Sequence, residues 1–296
     1  MIKLKDLLFE NEVPNIFIPR RMDDRQSRLN NLTQKEVNKI IDNYNKKKNK
    51  DNLDLSADDE DGYQDGHTYS ELGLNGDFII PDTLKKVEGA LNLANTGVTK
   101  LPDNLTIGNY PNSHLDVFNC KKLNALPRGL KVDTVYAEDS GLIEIPDDIQ
   151  TINLDLTYTK VKQLPLFKNF IKEIELEGCK YFKTLPIGFT AGTLVIKESK
   201  SFVSIPNNIN LKRLEIAECI KFTSIGNNCS IDELVISYEC PNFTTLPTDI
   251  KANNIHCIYD TAFRTQLVNK YKTKPKVMAA FKSMYPNVKQ FSLFWK

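Results

Sequence analysis

Between residues 81 and 250 the apolar positions repeat one phrase: IPDTL, LPDNL, LPRGL, IPDDI, LPLFK, LPIGF, IPNNI, IGNNC and LPTDI. Its prolines stand at 81, 102, 127, 146, 165, 186, 206 and 247, with Gly226 taking the place of one. A spacing near 20 residues sustained this long predicts a solenoid, because units of this size bury their apolar faces only by stacking on one another. Between the prolines runs a short alternation, as in Leu91-Asn92-Leu93, Leu115-Asp116-Val117, Leu154-Asp155-Leu156, Ile174-Glu175-Leu176, Leu194-Val195-Ile196, Leu214-Glu215-Ile216 and Leu234-Val235-Ile236. Period-2 patterning predicts strands with one buried face. Each strand is followed by a small turn residue: Thr96, Cys120, Ser140, Thr159, Cys179, Ser199, Cys219 or Cys240.

Outside the repeat the period changes. Residues 33–48 predict a helix: Thr33 and Glu36 make a capping box, and Val37, Ile40, Ile41 and Tyr44 share a face. FRTQLVNKYK and KVMAAFKSMYP read as two helices, and the alternation of Phe291, Leu293 and Trp295 as a final strand. Charge divides the chain further. Residues 51–71 hold eight acidic residues and no basic one, which predicts a solvated linker, whereas residues 262–296 hold eight basic residues and no acidic one. The expected organisation is 1–10 as a separable leader, 11–50 as an N-terminal segment with the helix, and 51–71 as the linker. A solenoid of about nine repeats over 72–261 and a basic, aromatic cap over 262–296 complete it.

The unit L-x-L-x-x-[T/C/S]-x-x-Φ-x-x-[L/I]-P-x-x-[L/I], with Φ apolar, resembles the leucine-rich repeat family over roughly residues 78–261. It is most similar to the short Leu-Pro variety of bacterial effectors and large-phage genomes. The resemblance implies an α/β solenoid with a parallel β-sheet on the concave side, an extended convex side, and helical caps at both ends. The usual turn asparagine is replaced here by Thr, Ser or Cys. Hydroxyls can still bond a neighbouring coil, whereas Cys bonds weakly and fills space. MIKLKDLLFE in turn resembles the capsid-targeting leaders of internal head proteins of large tailed phages, which are cut after Leu/Ile-x-Glu; Leu8, Phe9 and Glu10 fit that rule. A plain first helix is the alternative.

A net charge of +1 gives no general pull toward nucleic acid or membrane. No catalytic or nucleotide-binding motif appears, so neither enzyme activity nor a cofactor is expected. The six cysteines show no zinc spacing and read as packed, reduced side chains, and no metal site is expected. The absence of a secretory signal core or an apolar run of membrane length predicts no membrane partner. With the phage resemblance, it points to the host cytoplasm or the virion head.

The candidate binding surface is the exposed position between paired strand leucines. Asp116, Tyr136, Asp155, Glu175 and Glu215 occupy it, with Glu138, Glu173 and Glu177 flanking, and together they predict an acidic stripe. Like charges at strand spacing repel one another, so the stripe fits a dock for a protein carrying a basic segment and opposes nucleic acid there. The basic C-terminal segment could also form a nucleic-acid patch; an amphipathic cap is the favoured reading. The second functional reading is a structural virion component in which the solenoid is a rigid spacer.

Overall fold

The computed structural model describes residues 32–47, 52–55, 77–108, 113–257 and 261–293. It is a parallel β-solenoid of about nine turns with few helices. The chain divides into two compact units, one built mainly from residues up to 142 and the other from 152 onward.

In the first unit, helix α1 (Gln34–Lys46) starts at the Thr33–Glu36 capping box, and its Val37, Ile40, Ile41 and Tyr44 are fully buried. The strands that follow are β1 (Leu53–Asp54), β2 (Phe78–Ile79), β3 (Lys86–Val87), β4 (Leu91–Asn92), β5 (Val98–Lys100), β6 (Thr106–Ile107), β7 (His114–Asp116) and β8 (Thr134–Tyr136). β1, β4, β7 and β8 pair in that order, all parallel, while β2–β5 and β3–β6 form two-stranded sheets on the return path. The Gln34 side chain joins α1 to β2 by donating to the Ile79 carbonyl at 2.9 Å and accepting from its amide at 2.8 Å. One expectation is corrected here. The solvated linker expected over 51–71 does not hold at residues 52–55, which are built into the sheet: β1 pairs with β4, and Leu53 and Leu55 are fully buried. Two leucines suffice because β4 already offers an edge. The remainder of the expected linker, 56–71, lies outside the described residues, as do the expected leader and Leu8-Phe9-Glu10.

In the second unit the strands are β9 (Asn153–Asp155), β10 (Glu173–Glu177), β11 (Thr190–Lys197), β12 (Ser204–Ile205), β13 (Asn210–Ala217), β14 (Ser224–Ile225), β15 (Ser230–Ile236) and β16 (Ala252–Cys257). The main sheet runs β9-β10-β11-β13-β15-β16, parallel throughout and without slippage, so Leu154, Ile174, Leu194, Leu214, Leu234 and Ile255 fall in one buried column. A second column of Phe182, Phe202, Phe222 and Phe243 stacks through the core with centroids 5.2–5.6 Å apart. Helices α2 (Ala262–Tyr271) and α3 (Lys274–Met284) follow β16 and return the chain to β17 (Val288–Leu293), which pairs parallel with β16. Phe263 of α2 extends the aromatic column, and Phe281 of α3 stacks on Phe291 of β17 at 3.6 Å.

The turn column explains the missing asparagines. In the first unit the Cys120 thiol donates to the Leu93 carbonyl of the preceding coil at 3.0 Å. In the second, Cys179 donates to Leu156 at 3.1 Å, Ser199 to Leu176 at 3.1 Å and Cys219 to Ile196 at 3.6 Å. A thiol therefore does the work expected of a hydroxyl or amide, through a weaker bond. All six cysteines are buried, and none forms a disulfide.

Candidate functional site

The exposed face of the strands carries the candidate residues, placed there by the alternation that buries their neighbours. In the first unit Asn92, Asp116 and Tyr136 are register partners. Asp116 accepts the Phe118 amide at 2.9 Å, so it closes the strand exit as well as facing outward. The Tyr136 ring is 46% exposed and meets His114 edge-on at 5.6 Å. Glu138 sits half-buried just past that strand.

The second unit brings more of the predicted residues together. Asp155 lies directly opposite Glu175 in the β9–β10 register, and Glu173 and Glu177 flank Glu175 on the same face of β10. Asp155 has a backbone duty of its own, accepting the Thr157 amide at 2.9 Å. Glu175 has its pKa raised: partial burial is the largest cause, followed by the charges of Asp155 and Glu173, with Lys197 opposing.

Glu215 belongs to a different environment. It stands two strands from Glu175 in the same column, with Val195 between them. Lys197 reaches it at 2.9 Å, and Arg213 bridges it at 2.9 Å and Glu233 at 2.5 Å. Burial alone would raise the Glu215 pKa, but the hydrogen bonds and charges of Lys197 and Arg213 outweigh it and hold it below the ordinary range. The stripe is therefore not uniformly acidic. Lys197 and Arg213 were missed because only acidic residues were read at the positions one step outside each leucine pair, where Glu173 and Glu177 also stand.

Also missed was a column of Glu198, Glu218 and Glu239, each with positive φ just before the turn residue. The segments KES, AEC and YEC held that signal, with Glu preceding Ser or Cys in three successive coils. Such a backbone suits Gly or Asn, and indeed Asn95, Asn119 and Gly178 hold the equivalent place elsewhere. Glu218 has its pKa raised, by slight burial first and then by Glu198 and Glu239.

Burial pushes Cys179, Cys240 and Cys257 up to about 11 and Cys219 to about 12. Attack on an electrophile or metal ligation needs a thiolate, and burial disfavours that form at these four positions. Among the described residues no group of three or more His, Cys, Asp or Glu side chains could hold a metal ion, and no helix is long and apolar enough to cross a membrane.

Fold and face together define a parallel β-solenoid with an acidic region on β9–β10 and a neutralised one on β11–β15. No family model, curated protein or solved structure matches the chain.

Proposed function

We propose that the protein is a non-enzymatic protein-protein interaction module of the leucine-rich repeat type, and that it binds a partner's basic segment on the exposed strand face. The observation that carries this reading is the concentration of Asp155, Glu173, Glu175 and Glu177 around one position, with the Glu175 charge already disfavoured. An incoming lysine or arginine relieves that repulsion, so part of the cost of holding like charges in register returns as binding energy. Asp116, Tyr136 and Glu138 form a separate candidate face on the first unit, and on the second unit Glu215 would contribute least. In this reading α1 and the α2–α3–β17 segment cap the repeats.

The test is fluorescence anisotropy with a labelled arginine-rich nonapeptide. Glu175→Lys combined with Asp155→Asn preserves the acceptor for the Thr157 amide, since Asn92 makes the same bond to Ala94. Loss of binding with unchanged melting supports the proposal, and unchanged affinity overturns it.

The continuous phenylalanine column favours the second reading, a rigid spacer in a virion, because interlocked rings resist bending between coils. The phage assignment rests on the Leu-Pro repeat style and on Leu8-Phe9-Glu10. Peptide mapping of protein from its native source tests it: a mature chain starting at Asn11 makes the protein head cargo, and an intact Met1 removes the leader.

A further inference from the structure

The second unit ends in a strand whose outer edge pairs with no further strand among the described residues, although the Val288 amide donates to the Tyr285 carbonyl at 3.1 Å. β17 is last in the sheet order, and its bonds run to β16. The Ala252 amide donates to the Asn287 carbonyl, which fixes the phase of the parallel ladder. Asn287, Lys289, Phe291 and Leu293 therefore direct their backbone groups toward β16, and Val288, Gln290 and Ser292 direct theirs away. Gln290 and Ser292 are also exposed. The strand is held firmly enough to act as a template: Phe291 stacks on Phe281, and Ser292 Oγ lies 2.5 Å from His256 Nδ1.

Charge decides what fits such an edge. From Ala262 to Leu293 the chain carries Arg264 and six lysines, at 270, 272, 274, 276, 282 and 289, and no carboxylate. Lys289 lies in β17 itself, and Lys274, Lys276 and Lys282 in α3 are exposed. Lysines can serve only to ward off stray strand pairing. Here Lys289 of the strand and the lysines of α3, which packs on β17 through Phe281 and Phe291, give one sign of charge to the segment that holds the outward Gln290 and Ser292 positions, a combination complementary to an extended acidic segment.

We propose that β17 is a second docking site, where an acidic, extended peptide of a partner protein adds as the next strand of the sheet. Backbone hydrogen bonds to Gln290 and Ser292 supply the register, and the lysines select acidic sequence. The site is independent of the acidic face and opposite to it in chemistry, so variants at Glu175 leave it unaffected.

The probe is a labelled octapeptide alternating Asp or Glu with Val or Thr, added to the full chain. Its control has the same charge but proline at alternate positions, which removes the amides a new strand must donate. Gln290→Pro is the informative variant, because the lost amide makes no bond to β16. The expected result is roughly tenfold weaker binding of the control peptide, and a similar loss for Gln290→Pro with melting unchanged. Should that variant fail to fold, hydrogen exchange on the wild-type chain decides, with peptide slowing the Gln290 and Ser292 amides. Equal binding of both peptides reduces the effect to charge attraction and overturns the proposal. So does a concentration-dependent dimer that excludes peptide, which would assign the edge to a second copy. Gln290 and Ser292 amides already protected in the free monomer overturn it too, by showing that the chain covers its own edge.

Discussion

Glu175 and Glu215 occupy the same column of one sheet and differ in almost everything else. Glu175 faces Asp155 across the register and lies between Glu173 and Glu177, and its pKa is raised. Glu215 is gripped by Lys197 and Arg213, and its pKa is lowered. The backbone treats them alike, so their neighbours two residues off the column, on the same or the adjacent strand, make the difference. At Glu173 and Glu177 those neighbours are acidic; at Arg213 the equivalent of Glu173 is a cation, and at Lys197 so is the equivalent of Glu177. A repeat protein can thus keep one fold across adjacent coils while changing a surface from a closed ion network to an open anionic patch.

The comparison presumes that both glutamates ride on one well-packed core, and the largest predicted effect tests that presumption. Phe202 lies between Phe182 and Phe222 in the stacked column and is fully buried. Phe202→Ala should lower unfolding stability by roughly 3–5 kcal/mol in denaturant melts, because neighbouring coils cannot close the gap. A cost below about 1 kcal/mol would mean that the coils repack independently, and that the two sites need share no framework.

The next prediction contrasts the sites directly. Glu175→Lys should weaken the arginine-rich peptide by roughly tenfold, about 1.4 kcal/mol. Glu215→Gln should change that affinity by less than about twofold, since its charge is already matched. Equal losses at the two positions would show that only net charge matters, and the distinction would collapse.

Much of this was legible in the chain and some was not, for reasons that can be named. Proline spacing and alternation gave the strand columns, because each reports burial local to one coil. β1 was hidden, since Leu53 and Leu55 sit among aspartates and become a strand only when β4 supplies an edge. The acidic stripe was read from the residue between the leucines and from the flanking glutamates, so Asp155, Glu173 and Glu175 were found while the cations at the same flanking positions, Lys197 and Arg213, were not. Which cation reaches which carboxylate depends on the register between strands, and register is a property of two coils together. The glutamates at positive φ were overlooked because their strain belongs to the turn geometry rather than to composition. That the Cys120 and Cys179 thiols donate across coils likewise required the neighbouring carbonyls to be in place.

Removing the shared cation should move the Glu215 end toward the Glu175 end. Arg213→Ala frees Glu233 and leaves Glu215 with Lys197. Because Arg213 is partly exposed, the stability cost should be only roughly 0.5–1 kcal/mol. Peptide affinity should rise, and the rise should shrink in high salt. Unchanged affinity would confine the binding surface to β9–β10.

The smallest effect is the sharpest in sign. Glu175 titrates higher in the fold than in the unfolded chain, where a glutamate titrates near pH 4.3. Its ionised form is therefore disfavoured by folding, and at neutral pH it subtracts from stability; the penalty fades as acid protonates it. Glu175→Gln should accordingly stabilise at pH 7 by about 0.5 kcal/mol, the scale of a like-charge cross-strand pair. That gain should begin to vanish while the pH is still above the ordinary glutamate range. Glu215 has the opposite sign. Its lowered pKa contributes stability above the unfolded value, and that contribution is lost only as pH falls through the folded one. Glu215→Gln should therefore destabilise at pH 7 and converge on the wild type only at lower pH. Melting curves from pH 7 to pH 3 would trace the two variants approaching the wild type from opposite sides and at different pH. If both approached from the same side, the neighbours on the flanking columns would not be what separates these glutamates.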